Sequence, residues 1–146
     1  MHLCQPSILI STFRGNTEEA FNFYKSIFGG DFIGGIRRFD ETPEGDKLPD
    51  NEKNKVMHIA LPFGNNMIMA TDALESMDQK VHTGNHIYLC ISADSKEQAD
   101  DFFNGLSAGG EVEMEMQDMF WGDYFGMLKD KFGIKWMITF NQNEND

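Results

Sequence analysis

The sequence predicts an α+β fold of two βαβββ modules in tandem, and three observations carry that prediction. Two amphipathic helical segments of matching pattern lie 79 residues apart. The strand candidates before them carry matching apolar positions, and three further strand candidates follow each helix. A strand, a helix and three strands cannot bury both faces of their sheet alone, whereas two such units can do so together.

The first helix is read in "TEEAFNFYKSIFGG", where Ala20, Phe23, Tyr24, Ile27 and Phe28 recur at helical spacing. Asn16 or Thr17 caps its start, Glu18 and Glu19 occupy the first turn, and Gly29-Gly30 stops it. The second is read in "SKEQADDFFNGLSAGG", with Ala99, Phe102, Phe103 and Leu106 on one face, Ser95 as cap and Gly109-Gly110 as stop. The strands before them, "SILIS" from Ser7 and "HIYLC" from His86, place Ile8 on Ile87 and Ile10 on Leu89. After the first helix come "DFIGGIRRF", "VMHIALPF" and "NMIMATD". After the second come "EVEMEMQDM", "YFGMLKD" and "KWMITF". Phe63-Gly64 and Phe132-Gly133 mark the same turn in each half. The modules span about residues 5–75 and 84–142 of a single domain. One segment has no counterpart in the other half. "DETPEGDKLPDNEKNK", Asp40 to Lys55, is polar and aperiodic, and reads as a long loop that is either a lid or disordered.

A net charge of -12 repels phosphate backbones and anionic lipid, so neither nucleic acid nor membrane is an expected partner. No apolar run approaches a membrane span, and "MHLCQPSILIS" lacks the features of a signal peptide, so a cytoplasmic location is expected. Cys4 and Cys90 form no CxxC pair and are expected to be reduced thiols.

With these pieces in place, the chain resembles the vicinal-oxygen-chelate superfamily, which includes glyoxalase I, extradiol dioxygenases and bleomycin-resistance proteins. The likeness is to its PhnB-like group. It rests on "GNTEEAFNFYKSIFGGDF", "KNKVMHIALPFGNNMIMATD", "ADSKEQADDFFNGLSAGG" and "FWGDYFGMLKDKFGIKWMI", which together cover nearly the whole chain. The resemblance implies curved mixed β-sheets around a cavity, and a homodimer. Metal-using members draw His, Gln or Glu ligands from the first and last strands of each half. Here "PSILISTF" holds no such donor, Gln5 falling just before it. "MIMAT" and "KWMITF" hold none, and only His86 precedes "IYLC". One candidate does not hold a cation, so no metal and no other cofactor is expected.

The candidate catalytic residues are His58, inside "VMHIAL", and His86, since imidazole titrates near neutrality, and His58 is also a candidate to orient a ligand. A structural role is the alternative for each. Arg37 and Arg38 are adjacent, so one points inward and suits an anionic ligand unless both are surface residues. Asp72 is a turn residue or a rim carboxylate. In "QDMFWGDYFGMLKDKFGIKWMITF", Trp121 and Phe125 are candidate ligand walls, with Gly122 and Gly126 permitting tight backbone at a cavity mouth. Phe132 and Trp136 read as core. A small, planar or anionic molecule is therefore the expected partner of a metal-free binding dimer. The alternatives are a superfamily lyase, isomerase or dioxygenase using His58 or His86, and a structural module. The PhnB-like group has carried a demethylubiquinone methyltransferase label. No glycine-rich nucleotide loop after a first strand supports that activity here.

Overall fold

The computed structural model describes residues 8–142. It divides into two compact units, Pro6–His82 and a second beginning at Thr83. In the first unit, β1 (Ile8–Phe13) leads into α1 (Thr17–Phe28). β2 (Arg37–Arg38), the short helix α2 (Asp50–Lys53), β3 (Val56–Phe63) and β4 (Asn66–Asp72) follow. The second unit holds β5 (Leu89–Ser92), α3 (Lys96–Ser107), β6 (Glu111–Asp118), β7 (Asp123–Lys129) and β8 (Lys135–Asn141). The sheets run β1-β4-β3-β2 and β5-β8-β7-β6. In each, the first strand lies parallel to the last and the remaining pairs are antiparallel. The sequence repeat is thus a repeat of topology.

Both helices begin where expected, by different means. Ser95 Oγ accepts from the Gln98 amide at 3.0 Å and caps α3 directly. Asn16 makes no side-chain cap on α1. Instead Asp72, from the end of β4, accepts from the Thr17 amide (3.1 Å) and hydroxyl (2.6 Å), and its other oxygen accepts from the Val56 amide (2.8 Å). Asp72 is buried, so it is neither a turn residue nor a rim carboxylate. It ties α1, β3 and β4 together.

The buried face of α1 is Thr17, Ala20, Phe21 and Tyr24, rotated from the expected stripe, with Phe23, Ile27 and Phe28 half-buried. Phe21 drives this, making edge contacts with Phe13 and Tyr24. Phe28 stacks on Phe63 with ring centroids 4.0 Å apart, fixing the α1 side of β3. In the second unit Ala99, Phe103 and Leu106 pack on Leu128, Trp136 and Ile138. Gly126 lies beneath α3. A Cβ there would sit 2.9 Å from the Phe103 ring and 2.6 Å from Met116 Sδ. Its role is therefore close packing of helix on sheet, and not the cavity mouth that its sequence context suggested.

Three elements depart from expectation. The segment read as the second strand pairs only at Arg37–Arg38, because Gly34 and Gly35 adopt φ of +74° and +69° and break the extended backbone. β5 starts at Leu89, so His86 and Ile87 precede it and both are exposed. The Asp40–Lys55 loop is wound rather than disordered. It forms 3-10 turns at Phe39–Glu41 and Gly45–Lys47 and then α2. Arg38 clamps it, donating to Glu18 on α1 (3.0 Å) and to the Asn54 carbonyl (2.8 Å). Buried Glu52 accepts from the Ser76 hydroxyl and amide, and the hydroxyl holds its pKa below that of an ordinary glutamate. The expectation of reduced thiols fails at Cys90, which is disulfide-bonded. Sequence separation says nothing about spatial proximity, and Cys4 lies outside the described residues.

Tyr124 donates to Asp100 on α3 at 2.6 Å, and this bond, with burial, pushes its pKa up to about 12. The folded pKa lies above the unfolded value near 10, so this contribution is present below pH 10 and lost as pH rises through about 12. A site-resolved alkaline titration, by NMR of the labelled Tyr124 ring, should show Tyr124 ionising at about pH 12, and Asp100→Asn should lower that midpoint. Ionisation of Tyr124 at about pH 10 in the wild type would contradict this.

Candidate functional site

Strand alternation defines two faces on the second sheet. Tyr124, Gly126, Leu128, Trp136 and Ile138 face α3. The opposite face is laid out in rows by register. Ser92, Thr139 and Phe125 form one row, Cys90, Met137 and Met127 the next, and Lys135 and Lys129 the last. Tyr88, just before β5, and Glu113 on β6 reach the Lys135 end.

At that end the Lys135 ammonium donates to Glu113 at 2.5 Å and to the Tyr88 hydroxyl at 3.2 Å. Tyr88 donates to the other Glu113 oxygen at 2.5 Å. The Lys135 side chain is only 10% exposed. The ammonium lowers the Glu113 pKa, and the carboxylate raises that of Lys135. Both stay charged near neutrality. Two of the three ammonium protons are committed, which leaves one for an acceptor oxygen on a ligand.

One row of the sheet lies between this cluster and Thr139. Thr139 is 3% exposed, and among the described residues its Oγ1 has no hydrogen-bond partner. A buried hydroxyl without a partner costs about 1–3 kcal/mol, so a bound polar atom there would be favoured. Its cross-strand neighbour is Phe125, which is buried and meets Trp121 edge-on at 6.2 Å. Met127 and Met137 lie between the polar ends, half-buried and adaptable in shape.

The residues singled out from the sequence fall into two groups. Trp121 and Phe125 are in contact, as a wall would require. The Trp121 indole, however, donates to Asp123 at 2.9 Å, so its N–H holds the β6–β7 turn. Trp121 as a whole is 44% exposed. In the first unit, Arg37 lies opposite His58 across β2 and β3, and both are exposed. His58 shares its face with Val56 and Ala60, away from α1. Arg37 pairs loosely with Glu41 at 3.8 Å. Arg38 is committed to Glu18 and Asn54. His86 is exposed, outside any strand, and belongs to the other unit from His58. Phe132 is half-buried beside the turn that Asp130 builds, and Trp136 is fully buried core.

Sequence reasoning missed Tyr88, Glu113, Lys135 and Thr139. The signal for two of them was alternation within "KWMITF", which sets Lys135, Met137 and Thr139 opposite Trp136 and Ile138. Glu113 and Tyr88 join only through long-range pairing.

The resemblance raises the question of metal. The faces away from the helices present Met67, Met69 and Thr71 on β4, Cys90 and Ser92 on β5, and Met137 and Thr139 on β8. Thioethers and neutral hydroxyls do not suit a hard divalent cation. Among the described residues there is no group of three or more His, Cys, Asp or Glu side chains that could hold one. Gln5 lies outside those residues.

Two βαβββ modules of identical strand order, with the last strand of each beside the first, define a duplicated-module class. Within it, the chain belongs to the glyoxalase/bleomycin resistance protein/dioxygenase superfamily, whose family model matches residues 9–138. It is 28% identical to Protein YjdN of Escherichia coli strain K12 over 88% of this chain and 90% of that one. It is 31% identical to protein PA1353 from Pseudomonas aeruginosa, covering 96% of this chain and 100% of that one, with a TM-score of 0.80. A Bacillus cereus PhnB protein, named as a candidate 3-demethylubiquinone-9 3-methyltransferase, is 26% identical over 93% and 99% of the two chains, with a TM-score of 0.67. The PhnB-like resemblance therefore holds. Among the described residues no helix is long and apolar enough to cross a membrane.

Proposed function

We propose that this protein binds a small molecule with a planar apolar body and an anionic or carbonyl end, without a catalytic metal. The ligand lies on the face of the second sheet that carries Phe125, Met127, Met137 and Thr139. Its acceptor end meets Lys135. The observation that carries this reading is the Thr139 hydroxyl, unpartnered among the described residues and buried beside Phe125 on the face that also presents the Lys135 ammonium. The unpartnered hydroxyl supplies a hydrogen bond, the ammonium supplies charge, and the methionines adapt to the shape between them. A homodimer and a cytoplasmic setting belong to the same proposal. Disulfide-bonded Cys90 is unusual for a reducing compartment, and thiol counting on protein isolated without reductant addresses that directly.

The second reading is an enzyme of the superfamily's kind. It is favoured by the exposed imidazole of His58 beside Arg37, a titratable group next to an anion-binding one. Methyl transfer is a poorer reading, because the sheets are mixed and neither has the doubly wound parallel order of a nucleotide-binding fold.

The test is calorimetric titration of chelator-treated protein with a panel of aromatic carboxylates and phenols. A binder should lose roughly tenfold or more in affinity with Lys135→Met, and severalfold with Thr139→Val. His58→Gln should leave binding unchanged. Turnover of a bound compound that disappears in His58→Gln would favour the enzyme. Unchanged affinity in Lys135→Met would remove the proposed site.

A further inference from the structure

The first unit carries a cleft of about 440 Å³, separate in composition from the site above. It is lined by Arg14, Lys55, Ala73, Glu75, Lys80 and Val81, with Gln79 beside them. That volume falls within the range of small-molecule sites and exceeds the needs of a bare ion. Three of its walls are cations, in a chain whose net charge is -12. Among the described residues, Glu75 is the only carboxylate on the lining. Glu52, whose charge is felt by Lys55, is buried and held by Ser76.

The cations differ from most basic side chains here. Arg38, Lys53 and Lys135 are each paired with a carboxylate. Arg14 instead donates Nε and Nη2 to the Val81 carbonyl, at 3.0 and 2.5 Å. That bond fixes the plane of the guanidinium and leaves its Nη1–Nη2 edge for a second acceptor. Lys55 is half-buried beside Gly15, its Nζ 3.7 Å from where a Cβ would stand, and the positive φ of Gly15 turns the chain tightly there. Neither Lys55 nor Lys80 forms a salt bridge among the described residues. Ala73 and Val81 add apolar surface for the body of a ligand. A dianion with at least three acceptor oxygens matches this arrangement, one edge on Arg14 and the others on the two ammonium groups.

We infer that this cleft is a second ligand site, for a small molecule bearing a phosphate group. Inorganic phosphate and phenyl phosphate are the probes, followed by phosphorus NMR at low ionic strength. One saturable site per chain is expected for inorganic phosphate, weakening as salt is added. In Lys135→Met protein, phenyl phosphate should bind more tightly than phosphate, because the apolar lining of the cleft accepts its ring. The Lys55→Gln/Lys80→Gln double variant should lose roughly tenfold or more, and Arg14→Gln a comparable amount. Lys55→Arg should retain most of the affinity, which separates charge from folding. Lys135→Met should leave inorganic phosphate binding unchanged, which separates this cleft from the face of the second sheet. Equal affinity in the double variant, no binding by the wild type, or loss only in Lys135→Met would each overturn the inference.

Discussion

Asp72→Ala is expected to destabilise the protein by about 3–5 kcal/mol. The carboxylate is buried and accepts three hydrogen bonds, two from Thr17 and one from Val56. Bonds to a charged acceptor are each worth about 1.5–3 kcal/mol, and removal leaves buried donors unsatisfied. Water entering the vacated space recovers part of the loss, which keeps the total below the simple sum. Asp72→Asn should cost less, about 2 kcal/mol, because its oxygen still serves Thr17 while its amide opposes the Val56 N–H. Urea unfolding followed by circular dichroism measures both. An Asp72→Ala loss below about 1 kcal/mol would mean that Asp72 does not hold the start of α1.

Trp136→Ala should be as severe, about 4 kcal/mol or more. The side chain is fully buried between α3 and the sheet, and its truncation leaves a large cavity. The indole N–H also donates to Asp130 Oδ2 at 2.9 Å, while Asp130 Oδ1 accepts from the amides of Phe132 and Ile134. One carboxylate thus joins the core tryptophan to the β7–β8 turn. Trp136→Phe loses the bond and only part of the buried volume, so a smaller cost of about 1–3 kcal/mol is expected. Thermal unfolding separates the two, with Trp136→Ala falling further by roughly 10 °C or less. Equal losses would show that the hydrogen bond, and not packing, dominates at this position.

Much of the fold was legible because it depends on local periodicity. Ala20 and Tyr24, or Ala99 and Phe103, announce helices whatever surrounds them. "VMHIALPF" and "NMIMATD" became strands with their quoted bounds, since their turn residues and alternation agree. The rotation of α1 toward Phe21 was not legible, because it depends on Phe13 arriving from another strand. The near-loss of β2 was foreshadowed by Gly34-Gly35, but glycine permits a left-handed turn without demanding one. Asp72 looked like a turn residue or a rim carboxylate and Asp130 drew no reading, and only tertiary structure turns them inward. The candidate site was the least legible part. Histidines attract attention in a sequence, yet His58 and His86 are exposed and lie in different units. Lys135 and Glu113 are 22 positions apart and meet only through β6–β7–β8 pairing. A threonine hydroxyl left without a partner has no signature in sequence at all.

The central claim is that a ligand occupies the Phe125–Thr139 face of the second sheet without metal. Methionine-methyl NMR on chelator-treated protein tests it most directly, because Met127 and Met137 lie on that face and Met116 lies beneath α3. Titration with the tightest aromatic carboxylate of the panel should shift the Met127 and Met137 methyl resonances and leave Met116 in place. Saturable binding with Met127 and Met137 unmoved, or shifts that arise only after a divalent cation is added, would contradict the account.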